Sequence, residues 1–296
     1  MLMQSVFLAL LLAAIFGFFA PAVQCRVRGA LQNRPRAVWA IPFLLTAIFA
    51  SASVLAGAFS MPLALLVLGY TGAPVLCAFV QGAGTPPRPT ALDFLSILLL
   101  WLPLEFAAGV RQLVPRTAQG YLHSVAYGIA ILLGLVLFLG YRPFAGLKYN
   151  LPLGKRDFWL PLAAFALLAP VLIVVGMAIG FIPPPHWPTA SGGSMAAAVG
   201  IVFAATALPE EILFRALIQN LMMQRFGSGA RTLLAASFLF GCAHLDNGPQ
   251  PLPNWRYLIV ATVAGWAYGK VFQESSTVLS SAALHTLVDW TKHFFF

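Results

Sequence analysis

Charge is what this chain has least of. Asp, Glu, Lys and Arg together make up 8 % of its 296 residues, where a soluble globular protein carries roughly 25 %. Acids are the rarer sign, eight against 17 basic residues. With 60 % hydrophobic residues and a mean hydropathy of +0.87, that shortage excludes a soluble fold and a disordered chain. What remains is an all-α, polytopic transmembrane bundle. Cysteine is scarce too. Cys25, Cys77 and Cys242 are odd in number and lack metal-ligand spacing, so neither a disulfide framework nor a zinc cluster follows. Cys25, just past the first apolar run, reads as a juxtamembrane thiol, with acylation as the alternative. The net charge of +9 is dispersed in short clusters between apolar runs instead of forming one patch, which argues against nucleic acid as a partner. The first run, residues 2–23, has no charged segment before it and no small-residue cleavage site after it. It reads as a retained span and not as a signal peptide.

About ten apolar runs are long enough to count as spans: 2–23, 38–59, 62–80, 92–109, 121–140, 158–182, 195–222, 232–246, 257–273 and 277–295. The run 232–246 is short for a full crossing. Orientation follows from the basic residues. Arg26, Arg28, Arg34, Arg36, Arg142, Lys148, Lys155, Arg156, Arg225 and Arg231 fall on one side, leaving Arg111, Arg116, Arg256 and Lys292 for the other. The contrast makes the first set cytoplasmic and puts both termini outside. A bacterial inner membrane is the setting this implies. The proline-rich stretch 181–193 is an outside loop that separates six N-terminal spans from four C-terminal ones. His186 within it is a surface histidine. Glu105, in W-L-P-L-E-F, reads as a carboxylate near the outer interface, neutral or paired with Arg111. Gly265/Gly269 and Gly176/Gly180 have the spacing of close helix packing.

The chain is most informative at 207–215, A-L-P-E-E-I-L-F-R. Each charge here would cost roughly 2.5–3.5 kcal/mol near a bilayer centre, so Glu210, Glu211 and Arg215 must face protein or a wet cavity. Glu211 and Arg215 are four apart and share a helix face, which makes Glu211 the paired carboxylate. Glu210 is turned about 100° away, and a like charge next door with little water suits it to act as a general base. Three further polar groups lie in later apolar runs. His244 ends F-L-F-G-C-A-H-L, and His285 and Asp289 are four apart in A-L-H-T-L-V-D-W. At 1.5 Å rise per residue, Glu210, His244 and His285 lie about 16, 20 and 14 Å from the cytoplasmic ends of their runs. Three helices alternating in direction thus bring polar groups to similar depth, as one shared site requires. Asp246, bordering N-G-P, is a cap or turn residue.

A carboxylate and two histidines in a dry pocket suit activation of water for attack on a carbonyl. In one scheme Glu210 and His244 take the proton while His285 and Asp289 stabilise the oxyanion. In the other, Glu210, His244 and His285 bind Zn²⁺ and leave its fourth position open. There is no H-E-x-x-H, no G-x-S-x-G and no pair of mid-membrane aspartates, so the other intramembrane protease chemistries find no support.

E-E-x-x-x-R (Glu210, Glu211, Arg215), F-x-x-x-H (Phe240 to His244) and H-x-x-x-D (His285 to Asp289) resemble the three motifs of a known family. This is the CAAX-protease and bacteriocin-processing family of intramembrane endopeptidases, which includes the Rce1-type prenyl-protein proteases. The resemblance covers residues 195–295. It implies a catalytic cavity in the last four helices, open toward the cytoplasmic half, and a membrane-associated protein or peptide as substrate, a processed or lipid-modified C-terminus being one possibility. By that resemblance Glu210 is the catalytic glutamate, His244 its partner and His285 the oxyanion binder, with Glu211, Arg215 and Phe240 in support. The third motif usually ends in Asn, and Asp289 departs from it. The domains expected are N-terminal helices of unassigned role over 1–190 and the peptidase-like domain over 191–296. The metal-free mechanism is the one favoured, with Zn²⁺ as the alternative cofactor. A non-catalytic immunity or scaffold protein of the same fold is the competing function, and a proton-coupled transporter the next.

Overall fold

The computed structural model describes residues 2–86, 88–105, 113–248 and 251–296. Among these there is no strand, as a chain of apolar runs without period-2 alternation requires. The polypeptide forms two compact units, Met1–Ala145 and Gly146–Phe296. Five helices are long and apolar enough to cross a membrane, or six if one sharply bent pair acts as a single span.

In the N-terminal unit the expected run 2–23 is not one helix. Helix α1 (Leu2–Gly17) and α2 (Pro21–Asn33) meet at 84°. Pro21 occupies the first turn of α2, where a missing N–H does no harm but a continuous helix cannot pass. Helices α3 (Pro35–Leu55), α4 (Met61–Gln81), α5 (Ala91–Glu105) and α6 (Arg116–Tyr141) complete the unit. The Ser60 side chain caps α4 at the N–H of Leu63. The C-terminal part of the run 92–109, and Arg111, fall outside the described residues. Glu105 accepts a hydrogen bond from the Trp101 indole at 3.1 Å.

Arg142 needs correcting as a loop charge. It is buried, and its guanidinium grips both oxygens of Asp93 (Nε–Oδ1 2.8 Å, Nη2–Oδ2 3.1 Å). It also donates to the backbone carbonyl of Gly82 and to the side-chain oxygen of Gln81. A fork-to-fork pair with its remaining donors satisfied is a neutral internal tie, so Arg142 says little about membrane orientation.

The C-terminal unit begins with the irregular segment 146–155. It continues with α7 (Arg156–Ala178), α8 (Gly192–Phe226), α9 (Ala230–Cys242), α10 (Trp255–Glu274) and α11 (Val278–Phe295). The compact units meet at 145/146, because α7 lies against α10 and α11. Helices α10 and α11 are long enough to span but carry too many polar side chains to count among the five.

Three segments are tied together at one end of this unit. The Lys148 ammonium donates to the carbonyls of Phe272, Gln273 and Ser275, filling the open C-terminus of α10 as a cation should. Burial pulls its pKa below the ordinary lysine value. Asp157 accepts from the Ser276 N–H at 2.8 Å, and Gln273 reaches toward the carbonyl of Ser228. The opposite end is tied just as specifically. The His186 N–H donates to Phe295 O (2.9 Å), and Arg256 donates to Gly180 O (3.1 Å).

Glycine decides how closely α9 and α10 approach. A Cβ on Gly241 would stand 2.1 Å from Thr262 Oγ1 and 2.7 Å from the carbonyl of Leu258. On Gly269 it would meet Gln219 Oε1 and Leu233 Cδ1 at 2.5 Å each. The reading of Gly265/Gly269 as a packing pair therefore fits the structure. That of Gly176/Gly180 needs correcting. Gly180 has φ +68° and closes α7, with the Phe181 N–H returning to Gly176 O at 2.7 Å in the usual glycine stop.

Candidate active site

Helix α8 is not uniformly α-helical where its charges sit. Phe203–Ala207 and Ile212–Gln219 are π-helical, bracketing a short α-helical piece, Leu208–Glu211. Such widened turns recur at functional sites. Here they carry two neighbouring glutamates to different surroundings. Glu211 is fully buried and receives Arg215 Nε at 3.0 Å, both side chains being 0 % exposed. The Arg215 guanidinium lies over the rings of Phe240 (4.8 Å) and Tyr268 (5.8 Å), an apolar seat that keeps it dry. Glu210, by contrast, keeps 22 % of its side chain exposed.

His285 on α11 joins the two. Its Nδ1 lies 3.1 Å from Glu211 Oε1, and since a carboxylate only accepts, this nitrogen carries the hydrogen. Its Nε2 faces Asp289 Oδ2 at 3.4 Å, one helical turn on, and Glu210 Oε2 at 3.9 Å. Tyr268 stacks on the imidazole with ring centres 4.7 Å apart and 22° between planes. The imidazole is thereby fixed in position and in rotation.

His244 stands just past the end of α9, in the turn 243–246, and not inside a continuous span. Its Nδ1 is 2.8 Å from the carbonyl of Phe240, so that nitrogen donates and Nε2 is left as the acceptor of a neutral ring. Phe240 sits among these groups, edge-on to Phe214 (5.0 Å), His244 (4.7 Å) and His285 (5.8 Å). The loop after His244 is cinched by Asn254. Its N–H donates to Leu245 O, its amide donates to Asn247 O, and its side-chain oxygen caps α10 at the N–H of Tyr257. That cap sets Tyr257 against His244, ring centres 4.5 Å apart. Asp246 is exposed in the turn, as its neighbours Asn247 and Gly248 lead one to expect.

A cavity of about 540 Å³ adjoins the cluster. Asp289, Tyr257, Thr206 and Lys292 line its polar part, and Phe181, Pro183 and Phe296 its apolar part. The Lys292 ammonium lies over the rings of Tyr257 (4.5 Å) and Phe181 (4.7 Å).

Glu210, Glu211, Arg215, Phe240, His285 and Asp289 are thus gathered by direct contacts, and His244 joins through Phe240 and Tyr257. The contact with Glu211 at His285 Nδ1 did not follow from sequence spacing, which offered only Asp289 as partner. Tyr257 and Tyr268 were missed as well, though a signal existed. They are eleven residues, close to three turns, apart and so share one face of α10.

Glu210, His244 and His285, the set weighed for Zn²⁺, are not gathered as metal ligands in this structure. Among the described residues no three His, Cys, Asp or Glu side chains converge as metal ligands.

The fold and site together define a helical protein with several membrane-compatible helices and a glutamate–histidine cluster beside a half-apolar cavity. Residues 192–291 match the family model for the Rce1-like, type II CAAX prenyl endopeptidases, and this part of the chain is an Rce1-like domain. All seven residues singled out from the sequence fall within it. No curated protein and no solved structure matches the chain.

Proposed function

We propose that the protein is an intramembrane endopeptidase that hydrolyses a peptide bond of a membrane-associated protein, with Glu210 as general base. The observation that carries this is the contrast between adjacent carboxylates. Glu211 is sealed into a buried pair, while Glu210 keeps 22 % of its side chain exposed and turns a buried Oε2 to within 3.9 Å of a histidine held in place by three other groups.

In this reading water is positioned by Glu210 and by the acceptor Nε2 of His244. Glu210 takes its proton, and the hydroxide adds to the carbonyl carbon to give a tetrahedral oxyanion. His285, fixed by Glu211, Asp289 and Tyr268, donates from Nε2 to that oxygen. Collapse breaks the C–N bond, and the proton on Glu210 passes to the leaving amine. The residues need no external redox partner, and no step runs through a metal. The setting is an integral membrane location, a bacterial inner membrane in our reading.

The test is comparative proteomics of membranes holding wild-type protein or Glu210→Gln at equal abundance. Uncleaved substrate is expected to accumulate only with the variant. Identical peptide profiles, or full biological rescue by Glu210→Gln, would instead point to a binding or immunity role.

A further inference from the structure

The two ends of the C-terminal unit differ in charge, and the cavity opens at one of them. One end is built from the segment 146–155, the turn 227–229 and residues 274–277, held together through Lys148, Asp157 and Gln273. Five exposed basic residues surround it: Lys155, Arg156, Arg225, Arg231 and Lys270. The other end is built from the loop after α7, the turn after α9 and the last turn of α11, held together by His186–Phe295 and Arg256–Gly180. It has two basic residues close to the helix ends, Arg256 and Lys292, both partly buried. Lys292 is turned inward over aromatic rings, and Arg256 is spent on a carbonyl.

Orientation in a membrane follows Lys and Arg near the helix ends, with acids contributing little. Five exposed cations, of which Arg156 and Lys270 pair with the exposed Glu274, against two partly buried ones place the first end in the cytoplasm. The cavity is lined by Phe181, Pro183, Lys292 and Phe296, all from the second end, and by Asp289 and Tyr257 beneath them. We infer that this cavity opens on the face of the membrane away from the cytoplasm, so that the peptidase proposed above takes a substrate segment exposed on the outer side. This parts company with the cytoplasmic opening that the family resemblance implies. The family implication and the charge rule cannot both hold here, because the helices fix the cavity to the poorly charged end.

The inference rests on the proposed activity only for the word substrate, and its test needs no activity. In a background with Cys25, Cys77 and Cys242 changed to Ala, single cysteines are introduced as His186→Cys, His293→Cys and Ser228→Cys. Cells and inverted membrane vesicles are then treated with a membrane-impermeant maleimide. His186→Cys and His293→Cys are expected to react in intact cells, and Ser228→Cys only in inverted vesicles. The reverse pattern, or all three reacting from one side, overturns the inference. Should the cysteine variants not accumulate, alkaline phosphatase fused after Phe296 gives an independent reading. Active phosphatase is expected, and an inactive fusion at equal abundance overturns the inference. Normal Glu210-dependent proteolysis with a cytoplasmic cavity would sink this inference alone, leaving the peptidase reading intact.

Discussion

Glu210 and Glu211 share a peptide bond and little else. One is sealed between Arg215 and His285, and the other is 22 % exposed. Removing one member of a fully buried pair leaves an uncompensated charge, which costs about 3–5 kcal/mol. Glu211→Gln is therefore expected to lower the thermal unfolding temperature in detergent markedly and to lose activity with it. Glu210→Gln is expected to unfold like wild type and to lose only turnover. Equal unfolding temperatures for the two variants would show that the pair does not anchor the site. Asp289 allows a finer separation. Its side chain, 30 % exposed, faces His285 Nε2. Asn in its place still offers a carbonyl acceptor there, so Asp289→Asn is expected to stay within about tenfold of wild-type turnover. Asp289→Ala, which unfixes the imidazole, should fall by about 10²–10⁴, the range of a positioned proton-transfer group. If Asn were as inactive as Ala, the negative charge itself would be the requirement.

Among the elements, the crossing of α9 and α10 governs how well the site is held, because it sets Phe240 and His244 against Tyr257 and Tyr268. Gly241 is its tightest point. A side chain there meets the backbone carbonyl of Leu258, which cannot swing aside. Gly241→Val is expected to cost at least about 1–3 kcal/mol, the usual range for overpacking. It should also reduce turnover while Glu210 stays in place. Gly200→Ala, at an exposed position with nothing within 4 Å, is the control and should be neutral in both measurements. Spacing alone flagged Gly265 and Gly269 as packing residues, yet it flagged Gly180 equally, and that glycine ends a helix. A small residue at i and i+4 states that close approach is possible. Whether another helix comes there is a matter of tertiary packing.

At the largest scale, the distribution of charge between the two ends of the C-terminal unit is the feature with the widest consequence. Changing Lys155, Arg156, Arg225, Arg231 and Lys270 together to Gln removes the exposed cations of one end and should leave the fold intact. Maleimide labelling of His186→Cys is then expected to become mixed between intact cells and inverted vesicles, where it was one-sided before. Unchanged one-sided labelling would mean that other parts of the chain set the orientation. Arg142 shows why counting basic residues along a chain is not enough. It stands between apolar runs like a loop charge, but its partner is Asp93, 49 positions earlier, and the two are buried together.

By itself the sequence determined that this chain is a helical membrane protein. It placed helices along most of its apolar runs, although five or six and not ten of the described helices are long and apolar enough to cross a membrane, and it named the acids and imidazoles expected to face inward, because a bilayer penalises charge whatever the fold. Spacing at i, i+4 also paired Glu211 with Arg215 and His285 with Asp289, since helix geometry is local. Only the tertiary structure decided that Glu211 also holds His285, that Tyr257 and Tyr268 wall the histidines, and that the cavity lies at the end of the C-terminal unit with fewer exposed cations. Those facts depend on which helices meet and at what depth, and such contacts are set by packing between segments dozens of residues apart.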